Sequence, residues 1–442
     1  MSGARGRAGP QASPQAGPQA GLQADLIVKH IGQLVTMRGP VPRVGAALAD
    51  VGIVEDGMVV MRAGRIVAVG RTVELEREGY CAPEVIEAPG RTAVPGFVDA
   101  HTHPVFAGWR AGEFAARLRG ESYEKVLASG GGILSTVRAT RAASAAELAA
   151  LGRERLESFL AAGTTTVEAK SGYGLNLDDE LKCLRVLREL GAEGRCDVVP
   201  TFLGAHAVPP EFLGRSGEYV EFLCREVLPA VAREGLARFC DVFCERGAFD
   251  PAESRRVLEA ARDLGLKLKI HADEFSDLGG ARLAAELGAT SADHLLQAGE
   301  GGLRAMARAG TVAVLLPGTA LFAAGGRAAD ARRMIDLGLP VALGTDFNPG
   351  TCPVQSMGLM VGLACTMMRL TPEEALAAAT VNAACAVGLP GTVGRIQVGF
   401  QADMVLLSAP SFEHIPYRFG EGLVETVIKR GRVIVAGGRP RR

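Results

Sequence analysis

The chain has 442 residues, 48% of them hydrophobic, and a formal net charge of −1. That length accommodates roughly three domains, or a barrel of about 250 residues with a smaller companion, and the apolar share is ample for a large core. A balanced charge gives no reason to expect nucleic acid or an anionic membrane surface as a partner, and no apolar run approaches the roughly 20 residues of a membrane span.

Residues 1–24 repeat Pro-Gln-Ala and Gly-Pro-Gln-Ala units with almost no large apolar side chain. Such a stretch cannot offset its ordering entropy by burial, so it predicts a disordered tail. Arg5 and Arg7 hint at a targeting peptide, but no amphipathic or apolar segment follows them. From Asp25 the pattern changes to short strands. Met58–Met61 and Ile66–Val69, joined by Arg62-Ala63-Gly64-Arg65, read as a hairpin with glycine in the turn. The far end repeats the pattern, with Asp403–Leu407 as a strand and Val424–Ile428 paired to Val433–Val435 through Lys429-Arg430-Gly431-Arg432. Residues 25–92 and 391–442 are therefore expected to build one small β-sandwich-like domain, interrupted by everything between them. Nine cysteines lack metal-finger spacing, and an odd number without a signal peptide points to a reducing cytoplasm.

The middle, residues 93–390, alternates strands with helices. Ser144 to Glu147, Asp250 to Glu253 and Thr371 to Glu374 carry the cap signals of helix starts, two of them with proline at the first helical position. Eight buried strands are predicted: Phe97–His101, Thr165–Lys170, Asp197–Leu203, Phe239–Cys244, Leu266–His271, Ser291–His294, Val312–Leu316 and Val341–Asp346. Eight strand–helix repeats imply an α/β fold closed as a (β/α)₈ TIM barrel.

Polar residues at the C-terminal ends of barrel strands mark chemistry. Five of the seven histidines fall there: His101, His103, His206, His271 and His294, leaving only His30 and His414 elsewhere. His101 and His103 are two apart, so a strand aims both imidazoles to one side. With His271 and Asp346 they form a plausible mononuclear metal site, where an ion would bring the pKa of a water close to neutrality. His294, on the next strand, is placed as a base and orienter rather than a ligand. Glu274, three residues past His271, can shuttle protons. Lys170 is not in the strand-4 position from which a carboxylated lysine bridges two metals, so it reads as a structural or electrostatic residue.

Taken together, VPGFVDAHTH, the strand-5 histidine, Gly344-Thr345-Asp346 and Gly399-x-x-Ala402-Asp403 resemble the amidohydrolase superfamily. More narrowly, HTHPVFAG followed by Arg110, KSGYGL, GAHAVP, HADEF and GTDFNPGTCP are similar to the imidazolonepropionase family, over about residues 25–435. The resemblance implies hydrolysis of 4-imidazolone-5-propanoate to N-formimino-L-glutamate in histidine degradation, with one divalent ion, zinc or iron, per chain and a cytoplasmic homodimer. It also implies that Arg110, Tyr173, His206, Glu274, Asn348, Gly350 and Thr351 contact substrate and that His294 is catalytic. The family often has glutamine where this chain has Glu274. Asp346, His294, Glu274 and His206 are all expected to act on protons or on the ring, and the sequence does not divide the transfers among them. Rival readings are a deaminase of an amino-heterocycle, which would release ammonia, and a metal-free scaffold.

Overall fold

A computed structural model describes residues 22–120, 131–322 and 327–441. Its strands run in chain order as β1 (Leu22–Gln23), β2 (Leu26–Val35), β3 (Ile53–Arg62), β4 (Arg65–Arg71), β5 (Tyr80–Cys81), β6 (Glu84–Glu87) and β7 (Thr92–Pro95). Then come β8 (Phe97–Thr102), β9 (Thr164–Lys170), β10 (Asp197–Ala205), β11 (Phe239–Cys244), β12 (Lys267–Ala272), β13 (Ser291–His294), β14 (Val312–Leu315) and β15 (Val341–Leu343). The last are β16 (Met404–Leu407), β17 (Val424–Lys429), β18 (Arg432–Ala436) and β19 (Arg439–Pro440).

Strands β8 to β15 form one parallel sheet in sequential order. The sheet closes on itself where Thr102 bridges Phe347 and the Asp346 amide donates to the His101 carbonyl at 2.9 Å. All eight expected strands are there, and helices separate most neighbouring pairs. The eighth is shorter than expected: it stops at Leu343. Gly344 passes so close to His101 that a Cβ there would lie 3.0 Å from it, and Asp346 takes a left-handed backbone with φ of 52°. Below the site, inward-facing Val98, Ala100, Val199 and Val314 pack on Ala383, Ala384 and Ala386 of the helix Val381–Ala386. All three expected helix starts carry full capping boxes, at Ser144, Asp250 and Thr371. No helix among the described residues is long and apolar enough to cross a membrane.

The two chain ends build a nine-stranded sheet ordered β19-β18-β17-β16-β7-β2-β3-β4, with β6 pairing β2. The halves join where β16 runs antiparallel to β7, Met404 opposite Pro95 and Leu407 opposite Thr92. Both hairpin turns place two successive residues at positive φ, Ala63-Gly64 and Arg430-Gly431, the type I′ geometry that suits strand twist. The sheet folds over until Arg65 bridges Gln401, enclosing a core of Leu26, Val28, Leu34 and Met61 with Met404, Leu406 and Ile428. The disordered tail expected over residues 1–24 lies outside the described residues as far as 21. Leu22–Gln23, however, pairs in parallel with β5, and Ala24 is buried against Ile27 and Met58. Ala24 is buried while Leu22 is half exposed, so backbone hydrogen bonds to Gly79 and Cys81 hold this stretch together with the one small apolar side chain.

One polar joint ties this sheet to the barrel. Lys429 ends β17 and is buried, 2.6 Å from Asp197 at the start of β10 and 2.7 Å from Asp403. Gln401 Nε2 donates to both carboxylates, at 2.6 and 2.7 Å.

Candidate active site

The C-terminal ends of the barrel strands bring five histidines and two acids into one buried cleft. His101 Nε2 lies 3.3 Å from His103 Nε2 and 3.5 Å from Asp346 Oδ1, and His103 Nε2 lies 3.4 Å from that same oxygen. Donors about 2.1 Å from a tetrahedral ion are about 3.4 Å from one another, so these three fit a shared cation. The Nδ1 of His101 is spent on Asp293 at 2.6 Å, leaving Nε2 to face His103 Nε2 and the Asp346 carboxylate. His101 also groups within ligand range with His271 and His294. His271 gives Nδ1 to Asp241 at 3.1 Å, which turns its Nε2 toward the cleft. The structure thus offers two groups of donors that meet at His101, one with His103 and Asp346 and one with His271 and His294.

Burial holds the pKa of His101 and of His103 well below the usual histidine value, with neighbouring cationic groups adding to it. Neutral imidazoles are what a metal requires. His294 is pushed down to about 3, mainly by burial, and neither of its ring nitrogens has a hydrogen-bond partner. Its Nδ1 faces Glu274 Oε1 at 3.6 Å. Glu274 is pushed well above the usual carboxyl value by burial, then by the nearby charges of Asp346 and Glu245. Asp346 Oδ2 accepts the Thr319 hydroxyl at 2.6 Å. Both Asp346 and His294 (φ of 75°) sit in left-handed backbone, a strain that concentrates at functional sites.

His206 stacks on His103, ring centroids 5.2 Å apart, and its Nδ1 lies 3.0 Å from the Gly172 carbonyl. A carbonyl only accepts, so Nδ1 carries the proton and Nε2 is left as an acceptor. Gly172 has φ of 106°, and a Cβ there would fall 2.9 Å from that ring. The loop after β9 is drawn tight by buried Glu180, which accepts from the amides of Gly172, Gly174 and Leu175 at 2.8–3.1 Å. That loop presents Tyr173 with its ring centroid 5.4 Å from that of His206. Burial raises the Tyr173 phenol above its usual value, and the charge of Arg110 opposes the rise. Arg110 pairs with Glu113 at 2.9 Å and lies against Gly350, where any Cβ would strike the guanidinium at 2.2 Å.

Asn348, an expected substrate contact, also holds its own loop. Its Oδ1 accepts the Gly350 and Thr351 amides at 2.8 Å, and its Nδ2 donates to the Asp346 carbonyl and Thr351 Oγ1 at 2.7 Å. These bonds shape the loop after β15. Sequence reasoning gave no role to Asp241, Asp293, Thr319, Glu180 or Arg155. Buried Arg155 stacks over Phe106 and donates to the carbonyls of Pro104 and Phe106 at 2.7 and 2.8 Å, fixing the loop that leads to Arg110. The signal available for Asp241 is an acid inside the apolar strand Phe-Cys-Asp-Val-Phe-Cys.

A model of the amidohydrolase family matches residues 92–434. Among curated proteins, the chain is 56% identical to an imidazolonepropionase of Symbiobacterium thermophilum over 421 residues, covering 95% of this chain and 99% of that protein. It is 50% identical to an imidazolonepropionase of Geobacillus kaustophilus, covering 94% and 99%. Among solved structures it is similar to an adenosine deaminase from Xanthomonas campestris with bound zinc, with a TM-score of 0.69 at 20% identity and 95% of each chain covered. It is also similar to an atrazine chlorohydrolase from Arthrobacter aurescens complexed with zinc, with a TM-score of 0.67 at 16% identity, covering 94% and 96%. At those identities the two structures carry the fold alone, whereas the full-length likeness to curated proteins carries the activity. The chain belongs to the amidohydrolase family and, within it, to the imidazolonepropionases.

Proposed function

We propose that this cleft opens the ring amide of 4-imidazolone-5-propanoate with one divalent ion, zinc or iron, held by His101, His103, His271 and Asp346. The observation that carries the reading is the convergence of His101, His103 and Asp346 at 3.3–3.5 Å. When bound, such an ion supplies Lewis acidity to the ring carbonyl and acidifies water beside it.

The side chains divide the rest of the work. Asp346 takes the proton of the attacking water at Oδ2, where the Thr319 hydroxyl occupies one lone pair and leaves another. As oxygen adds to the carbonyl carbon and the ring C–N bond breaks, the leaving nitrogen needs a proton. Glu274, whose carboxyl burial shifts toward its acid form, gives it. His294, 3.6 Å from Glu274, carries the proton from Asp346 to restore that acid. His206 accepts a ring N–H at Nε2. Arg110 and Tyr173 hold the propionate, with Gly350 and the Thr351 hydroxyl completing the rim. The homodimer and the cytoplasm belong to the same proposal, and nine free thiols support a reducing compartment.

The purified protein, incubated with imidazolone propionate, should yield formiminoglutamate without free ammonia and lose the activity to a chelator. Elemental analysis should give one ion per chain, and two tightly held ions would sink the mononuclear site. Losing the carboxylate contact acts mainly on binding, so Arg110→Met should raise KM more than it lowers kcat. A charged hydrogen bond lost from a partly dry site costs about 1.5–3 kcal/mol, or roughly 10- to 150-fold in kcat/KM. Steady-state kinetics with unchanged kcat/KM would remove Arg110 from the site.

A further inference from the structure

Between the histidines and the apolar floor of the barrel lies a layer of buried charge. Lys170 of β9 is fully buried, its Nζ 2.7 Å from Asp241 Oδ2 on β11, 2.8 Å from Glu168 Oε1 and 3.7 Å from Asp293 Oδ2 on β13. These alternate strands contribute to one layer of the barrel, as alternate strands do in such folds. The next layer up holds His101 and His271, from β8 and β12.

The two layers are joined by hydrogen bonds. Asp293 Oδ2 takes Nδ1 of His101 at 2.6 Å and Oδ1 takes the Ser291 hydroxyl at 2.6 Å. Asp241 Oδ1 takes both the amide and Nδ1 of His271, each at 3.1 Å. A single ammonium therefore stands behind both carboxylates that orient two of the proposed ligands. The ammonium fixes where these carboxylates sit, and they in turn fix the ring orientation that presents each Nε2 to the cleft.

We propose that Lys170 is a positioning residue for the metal centre: it holds Asp241 and Asp293 in place behind His271 and His101, and so sets the affinity of the site for its ion. The inference rests on the ligand assignment proposed above. It also gives a task to a buried lysine that the ring-opening steps leave unused. Lys269, 3.9 Å from Asp293 and 3.3–3.4 Å from the Ala100 and Ala386 carbonyls, is a lesser contributor on the opposite side.

The test compares the wild type with Lys170→Arg, Lys170→Met and the charge-balanced double variant Lys170→Met/Glu168→Gln. Each is stripped of metal, titrated with zinc against a chromophoric chelator, and melted in the metal-free form. Zinc affinity should fall roughly 10- to 100-fold in both methionine variants and recover largely in Lys170→Arg, the scale expected for groups that orient metal ligands. The double variant should keep a metal-free melting temperature near that of the wild type. Wild-type affinity in either methionine variant overturns the proposal. So does a double variant that fails to fold or melts far below the wild type, because Lys170 would then serve the fold. A wild type that binds no zinc and no iron would instead bring down the ligand assignment, a result distinct from both.

Discussion

Replacing Asp346 by alanine should remove a metal ligand and the proposed acceptor of the water proton in one step. Loss of a general base alone costs roughly 10²–10⁴ in rate, and the loss of a ligand adds to it, so turnover should fall by at least that range. The fold should survive, because the side chain meets only Thr319 and the site histidines among the described residues, and the core beneath is independent of it. Circular dichroism and the thermal transition should stay close to the wild type while bound metal falls below one ion per chain. Near-normal turnover in this variant would refute both roles of Asp346.

A second large effect is expected far from the chemistry. Lys429→Met should cost about 3–5 kcal/mol, the range for removing one partner from a buried ion pair and stranding the others. Lys429 is 1% exposed and Asp403 3%, so solvent screens little of the loss, and Arg430 is left to compensate only Asp197. A urea unfolding midpoint unchanged within error would show that the joint between sheet and barrel does not depend on this charge. Activity per folded molecule should hardly change, since Asp197 stands at the opposite end of β10 from His206.

The parts of the molecule that sequence made legible are those governed by short-range pattern. The eight barrel strands are apolar runs bounded by capped helices, and the two-residue turns at Ala63-Gly64 and Arg430-Gly431 carry their own backbone signature. His101, His103, His206, His271 and His294 could be read as a set because a strand end is a local property. What escaped depends on partners distant in the chain. Asp241 acquires its task from His271 thirty residues on, and Lys170 from carboxylates on two other strands. The early end of β15 is set by contact with His101, and the hydrogen bonding of Asn348 by the loop it closes. Leu22–Gln23 has the surrounding composition of a tail, while its pairing partner lies at Tyr80–Cys81.

The antiparallel pairing of β16 with β7 has a consequence for how the protein is made. A ribosome emits β2, β3 and β7 early, but the strand that covers the free side of β7 leaves it only after the whole barrel has been synthesised. At roughly 5–20 residues per second, that interval is on the order of tens of seconds. Throughout it, Thr92–Pro95 presents unpaired amides and carbonyls, and Leu26, Val28, Leu34 and Met61 wait for Met404, Leu406 and Ile428. An uncovered strand edge is a template for pairing with another nascent chain. Yield from a cell therefore depends on how well that edge is sheltered during translation, and a chain released early, before Met404, carries an intact set of barrel strands with an adhesive border.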